Sequence, residues 1–197
     1  IGRSLPFWRH YLPVMRGFFP GRLDTVAPED VYAAVNLAKP SLIRVEADEC
    51  TYNLHIIIRF ELEVALIEGD LDVDGIPAAW NAKVRQYLGL DVPDDAHGCL
   101  QDIHWAHGAF GYFPTYALGN LYAAQFFAQA ESELGELDAR HARGEFAPLR
   151  EWLGEKIHRQ GQRYSAADLV ERVTGRRLSS GPWIELLRKR LSPLYGL

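Results

Sequence analysis

One long and mostly apolar stretch constrains the fold of this chain most. Residues 52–68 read YNLHIIIRFELEVALIE and contain neither Gly nor Pro. Tyr52, His55, Arg59 and Glu63 recur at intervals of three or four residues, so an α-helix places them in one narrow polar stripe. The other faces of that helix are mostly apolar, which predicts burial on most sides. The stripe then faces either a strip of solvent or the wall of a cleft.

Length, charge and composition limit the class of protein. A chain of 197 residues is predicted to form a single helical domain spanning residues 1–197. The net charge is −5 with both signs interspersed, which argues against a nucleic-acid partner. No apolar run approaches the ~20 residues of a membrane span, so no membrane partner is expected. Cys50 and Cys99 are too few for a disulfide framework, and a reducing, cytoplasmic location is the simplest prediction.

The rest of the chain predicts more helices and little other regular structure. Apolar and aromatic residues recur at helical spacing in four further segments, residues 3–19, 76–88, 116–142 and 146–157. Ser165 followed by Asp168 indicates a capped helix start. The expected fold class is all-α with at most a short strand pair, for which residues 42–47 and 98–104 are the candidates.

A second informative stretch is GCLQDIHWAHGAFGYFPTYALGN, residues 98–120. Its polar residues stand among aromatic residues, and Gly and Pro interrupt regular structure, as in a binding loop. A buried loop with satisfied hydrogen bonds is the alternative. His104 and His107 are spaced to share a metal, with His97 or Asp102 near in sequence, but a clear third ligand is missing.

Two long polar strings in this chain resemble signature segments of a known family. VEADECTYNLHIIIRFELE (residues 45–63) and LQDIHWAHGAFGYFPTYALGNLYAAQ (residues 100–125) are similar to segments of the M32 metallocarboxypeptidases, the thermostable or Taq carboxypeptidase family. IGRSLPFW (residues 1–8) is similar to the segment that follows the family's third zinc ligand. The closing LYGL is similar to the family's C-terminus. The resemblance therefore runs the length of the chain.

The resemblance implies the C-terminal part of a zinc exopeptidase that removes C-terminal residues from peptides in a helical groove. In that family two His of an H-E-x-x-H helix and a later Glu hold zinc, and the Glu of the motif activates water. This sequence contains no H-E-x-x-H, and by the family's order the motif is expected before Ile1. No metal ligands are therefore expected in this chain, and the chain alone is expected to be inactive.

The resemblance also implies roles for particular residues. Arg44 precedes the family-like VEADE and is the candidate cation for the substrate's free carboxylate. Tyr52 is placed like the transition-state tyrosine of related helical zincins, a catalytic role that needs the zinc-binding half. The implied substrate-binding residues are Arg44, Asp102, His104, Tyr112 and Tyr116.

Each of these residues has a structural alternative. Arg44 can form an ion pair with Glu46 or Asp48, Tyr52 can be a residue of the helix start, and His104 can be a buried histidine satisfied by Asp102. Residue types and spacing do not decide between the two interpretations.

Two functions from different classes follow. In the first, the chain is one piece of a complete carboxypeptidase, with peptide C-termini and the missing N-terminal half as partners. In the second, it is a stand-alone non-catalytic protein that binds peptides or regulates a full-length carboxypeptidase. Because removal of half a groove exposes apolar surface, a homo-oligomer is expected in either case.

Overall fold

The computed structural model describes all residues from 1 to 197, and its regular structure is entirely helical. The nine α-helices are α1 (Leu5–Phe18), α2 (Pro28–Val35), α3 (Tyr52–Glu68), α4 (Ile76–Leu88), α5 (Pro114–Leu134), α6 (Leu137–Ala142), α7 (Ala147–Lys156), α8 (Ala166–Thr174) and α9 (Gly181–Tyr195). Short 3-10 turns and loops connect them. The predicted all-α fold class is confirmed. None of the helices is long and apolar enough to cross a bilayer.

The two candidate strands do not form. Arg44–Glu46 is a 3-10 turn, and residues 98–104 form turns and bends. The two segments are nevertheless joined, because the Gln101 side chain accepts from the Arg44 backbone N–H at 2.9 Å and donates to the Leu42 carbonyl at 3.0 Å. One side-chain amide thus replaces the backbone ladder of a strand pair.

The chain packs as two compact units. One comprises Ile1–Asn36 and Asn120–Leu197, and the other comprises Leu37–Gly119. The expectation of one domain over residues 1–197 stays a prediction.

The unit Leu37–Gly119 is built on the packing of α3 against α4. Its α3 contains no helix breaker and ends at Gly69, whose φ of 81° requires the left-handed conformation that glycine adopts without strain. The buried side chains of this core are Ile58, Leu62, Trp80, Val84, Leu88 and Cys99. Cys99 is therefore a small apolar core residue.

The other unit has a smaller core between α5, α6 and α7. Its buried members are Ala130, Leu137, Leu149 and Trp152. The prediction of one helix over residues 116–142 was wrong, because Gly135 at φ 65° and Glu136 at φ 50° both adopt the left-handed conformation. Two successive left-handed residues end α5 at Leu134, and α6 starts at Leu137. Ser165 caps α8 as predicted, its Oγ accepting from the Asp168 backbone N–H at 3.1 Å.

Gly144 lies directly against the side chain of His10. A Cβ there would lie 2.3 Å from the His10 ring of α1, and φ is +79°. Gly175 has a similar φ of +69° with nothing within 4 Å of the Cβ position. We expect Gly175→Ala to lower the free energy of unfolding by about 1–2 kcal/mol, from backbone strain alone. Gly144→Ala should lower it by about 1–3 kcal/mol more, because the ring must also move. Urea unfolding of the two variants checks the difference, and equal losses would contradict the close contact.

Candidate functional site

The polar stripe of α3 is buried. His55, Arg59 and Glu63 are 1%, 1% and 4% exposed, so the stripe does not face solvent. Arg59 reaches Gln101 and Asp102, and Glu63 reaches Trp105 and Gly111, so the stripe lies against the loop that precedes α5. The two stretches that stand out in the sequence therefore meet at one place within one compact unit.

A carboxylate between two guanidinium groups forms the centre of this place. Asp102 accepts from Arg44 Nη2 at 2.7 Å and Nε at 3.0 Å, and from Arg59 Nε at 2.8 Å. Arg44 is bound side-on by Asp102, and its Nη1 donates to the Tyr52 hydroxyl at 2.9 Å. The ion-pair partner of Arg44 is thus Asp102, and the expected alternatives Glu46 and Asp48 were wrong. Asp48 instead accepts from the Cys50 N–H and the Thr51 hydroxyl before α3.

The electrostatics of the Arg44–Asp102–Arg59 cluster leave one positive charge. Burial raises the pKa of Asp102, but the hydrogen bonds and charges of Arg44 and Arg59 outweigh it, and the net shift is downward. Burial lowers the pKa of Arg59 to about 10 in spite of Asp102, and that of the less buried Arg44 is raised by its bonds to Asp102. At neutral pH the cluster therefore holds two cations and one anion.

An aromatic wall surrounds the cluster on the side of the loop. Phe113 is 1% exposed, and the guanidinium carbons of Arg44 and Arg59 lie 5.6 and 5.1 Å from its ring centroid. The Tyr116 ring lies 5.2 Å from the Arg44 guanidinium and 5.4 Å from the Tyr112 ring. Burial raises the pKa of Tyr116, so its hydroxyl is a neutral donor at physiological pH. Tyr112 is 48% exposed and is the most accessible member.

His104 belongs to this wall but is not satisfied by Asp102. Its Nδ1 is 3.9 Å from the nearer Asp102 oxygen, too far for a hydrogen bond, and is buried without a partner. Its Nε2 lies 3.1 Å from the Tyr116 hydroxyl.

His55 lies beneath the cluster and is held neutral. Burial lowers its pKa to about 4, and the positive charges of Arg59 and Arg44 act in the same direction. A hydrogen bond with the backbone of Ser41 opposes the shift, and its Nε2 is buried without a partner.

The residues of this chain do not fit a zinc site. No group of three or more His, Cys, Asp or Glu side chains is placed to hold a metal ion. Of the three histidines considered for an independent site, His97 pairs with Asp94 at 2.7 Å and His104 with Tyr116. We therefore derive no chemical step from a metal bound to these residues.

All six residues singled out from the sequence are brought together, namely Arg44, Tyr52, Asp102, His104, Tyr112 and Tyr116. Their roles toward substrate stay predictions. Sequence reasoning did not select Arg59 or Phe113 as site residues. The polar stripe of α3 could have indicated Arg59, because a cation on a mostly apolar helix needs a buried counterion. No sequence signal separated Phe113 from the other aromatic residues.

This all-helical chain is similar to known metallocarboxypeptidases in sequence and in fold. Residues 1–191 match the family described as Carboxypeptidase Taq (M32) metallopeptidase, and the chain belongs to this family. It is 53% identical over 196 residues to Thermostable carboxypeptidase 1 of Thermus thermophilus, covering 100% of this chain and 38% of that protein. Identity to Carboxypeptidase 1 of Bacillus subtilis is 45%, covering 100% of this chain and 39% of that protein.

The structural comparison agrees. The crystal structure of an M32 carboxypeptidase from Deinococcus radiodurans R1 superposes with a TM-score of 0.97 at 45% identity, covering 100% of this chain and 40% of that one. The chain thus spans about two fifths of the length of the relatives that it matches.

Proposed function

We propose that this chain is the peptide-binding portion of an M32 metallocarboxypeptidase, with the Arg44–Asp102–Arg59 cluster holding the free carboxylate of a peptide C-terminus. The observation that carries the proposal is the charge imbalance within the buried cluster, where two guanidinium groups share one carboxylate. A buried charge is stabilised by an opposite charge that accepts its hydrogen bonds. A peptide C-terminus is the anion that a carboxypeptidase has to hold.

The donors of Arg44 suit this role. Its hydrogen bonds to Asp102 and Tyr52 use Nε, one N–H of Nη1 and one N–H of Nη2, which leaves one N–H on each terminal nitrogen. A carboxylate can accept both at once, the two-point recognition for which arginine is favoured over lysine. Asp102 holds the guanidinium in place, and Arg59 holds Asp102.

The aromatic wall supplies neutral groups. The Tyr52 oxygen accepts from Arg44, so its own hydrogen can be donated to a substrate oxygen. Its transition-state role requires the metal-binding part of the family's fold. Tyr112 and Tyr116 are further donors.

In our proposal this chain alone does not hydrolyse peptides. Its residues hold no zinc, and the chain by itself releases no C-terminal amino acids. Release returns when the remaining part of a family member is supplied together with zinc. We propose the cytoplasm as the compartment, supported by the two unpaired cysteines.

A second candidate function is favoured by an exposed apolar row on α3. Ile57, Phe60, Val64 and Ile67 are 38%, 48%, 37% and 77% exposed and recur at intervals of three or four residues. Such a row fits a partner helix, either in a full-length carboxypeptidase that the chain regulates or in a second copy of the chain. Light scattering of the chain alone and mixed with a purified full-length relative separates a homo-oligomer, a mixed complex and a monomer. A monomer in both samples would contradict this second function.

The binding role of Arg44 is tested with an N-terminally blocked fluorescent peptide that has either a free or an amidated C-terminus. We expect the free carboxylate to bind more tightly, and Arg44→Gln to weaken that binding about 30-fold, the loss of roughly 2 kcal/mol of charge-assisted hydrogen bonding. Arg177→Gln is the matched control, since Arg177 has an 89% exposed side chain. Equal affinity for the two peptides, or no effect of Arg44→Gln, would overturn the proposal.

A further inference from the structure

Glu63, like His55, is a member of the polar stripe that neither the cluster nor the peptide site uses. It lies one helical turn after Arg59 on α3, is 4% exposed and forms no ion pair. Both of its oxygens are nevertheless occupied. Oε1 accepts from the Trp105 indole N–H at 2.8 Å, and Oε2 accepts from the Gly111 backbone N–H at 3.1 Å.

These two donors bracket the turn between the cluster and α5. The turn reverses at Gly108, with φ 70°, and Gly111, with φ 76°. Within it the Trp105 ring stacks on Phe110 at 5.8 Å and meets Trp80 of the core edge-on at 6.0 Å. Glu63 therefore holds both ends of the turn, Trp105 and Gly111, by hydrogen bonds from one position on α3.

Each donor is the immediate chain neighbour of a proposed binding residue. His104 precedes Trp105, and Tyr112 follows Gly111. The His104 and Tyr112 rings lie 5.8 Å apart. The distance between them therefore depends on the hydrogen bonds that hold their neighbours Trp105 and Gly111. Arg59 fastens the start of the same loop through Gln101 and Asp102.

We propose that Glu63 is a positioning residue, whose carboxylate sets the distance between His104 and Tyr112 and thereby the affinity for the peptide. The proposal rests on the proposed function. A carboxylate suits the position because two N–H donors converge on it. Glutamine has the same shape but only one acceptor oxygen, and its NH₂ group would face a donor.

The test uses the full chain and the free-carboxylate peptide. Glu63→Gln is expected to weaken binding about tenfold, the loss of one well-placed buried hydrogen bond. Glu61→Gln is the matched control, since Glu61 is on the same helix but bonds Lys83 and Tyr87. In parallel, NMR hydrogen exchange should show loss of protection at the Gly111 amide in Glu63→Gln, with the amide of the core residue Ile58 still protected.

A double-mutant cycle separates positioning from a merely structural role. If Glu63 acts through Tyr112, then Glu63→Gln should weaken binding less in a Tyr112→Phe background than in the wild type. Strictly additive losses would overturn the positioning role. Trp105→Phe, which removes the indole N–H together with part of the ring, provides the same cycle if Glu63→Gln fails to fold.

The outcomes distinguish the two proposals. Full affinity in Glu63→Gln together with loss in Arg44→Gln would overturn the positioning role alone. Full affinity in Arg44→Gln would overturn the proposed function, whatever Glu63→Gln does.

Discussion

Replacing Asp102 by asparagine is expected to lower the free energy of unfolding by about 3–5 kcal/mol, because it leaves two buried cations without a counterion. The side chains of Arg44 and Arg59 are only 7% and 1% exposed, so water cannot take the place of the carboxylate. Repulsion between the two guanidinium groups adds to the loss. Urea unfolding followed by circular dichroism measures the change.

Two further variants make this prediction specific. Asp94→Asn alters a carboxylate with a 53% exposed side chain and should change stability by less than about 0.5 kcal/mol. Adding Arg44→Gln to Asp102→Asn should recover part of the lost stability, because one of the two stranded charges is removed. A loss below about 1 kcal/mol in Asp102→Asn would contradict the buried cluster.

Acidification is expected to destabilise the protein through His55. Its pKa is about 4 when folded, against an ordinary value of 6.5, so between these values the unfolded chain binds a proton that the folded chain does not. Stability is therefore full above pH 6.5 and falls as the pH decreases toward 4. The shift corresponds to about 3 kcal/mol over this range. Burial lowers the pKa of His141 as well, so part of the observed loss belongs to that residue.

The contribution of His55 is isolated by comparing variants. His55→Gln should flatten, relative to the wild type, the dependence of unfolding free energy on pH between 4 and 6.5. The measurement is a series of urea unfolding curves across this range. An unchanged slope in His55→Gln would show that His55 is not the buried neutral group.

The position and period of α3 could be read from the chain, and so could six of the residues that meet at the candidate site, but not Arg59 or Phe113. Most of the other residues of this helix are apolar, and the spacing of Tyr52, His55, Arg59 and Glu63 puts these four on one line. The ends of α4 and α8 were also predictable, because Gly89 and Ser165 act on their own helices. Such signals are local, and a local interaction needs no knowledge of the rest of the fold.

The ion pairs were not predictable in this way. Arg44 has acidic neighbours at Glu46 and Asp48, yet it bonds Asp102, far along the chain. A sequence lists every carboxylate that an arginine can meet, and only packing decides which one shares its buried volume. The break between Leu134 and Leu137 shows the same limit on a smaller scale, since Gly135 is tolerated within a helix as well as beyond its end.

The sequence by itself determined that the chain is helical, that it belongs beside the M32 carboxypeptidases, and that one helix has a polar line against which something must pack. Only the tertiary structure decided what packs there. It placed Asp102 between two guanidinium groups, which gives the cluster a net charge of one positive unit. It also joined both ends of the loop's turn to Glu63 by hydrogen bonds. The physical reason is that helix periodicity depends on neighbours a few residues apart, whereas the pairing of buried charges depends on which distant segments exclude water together.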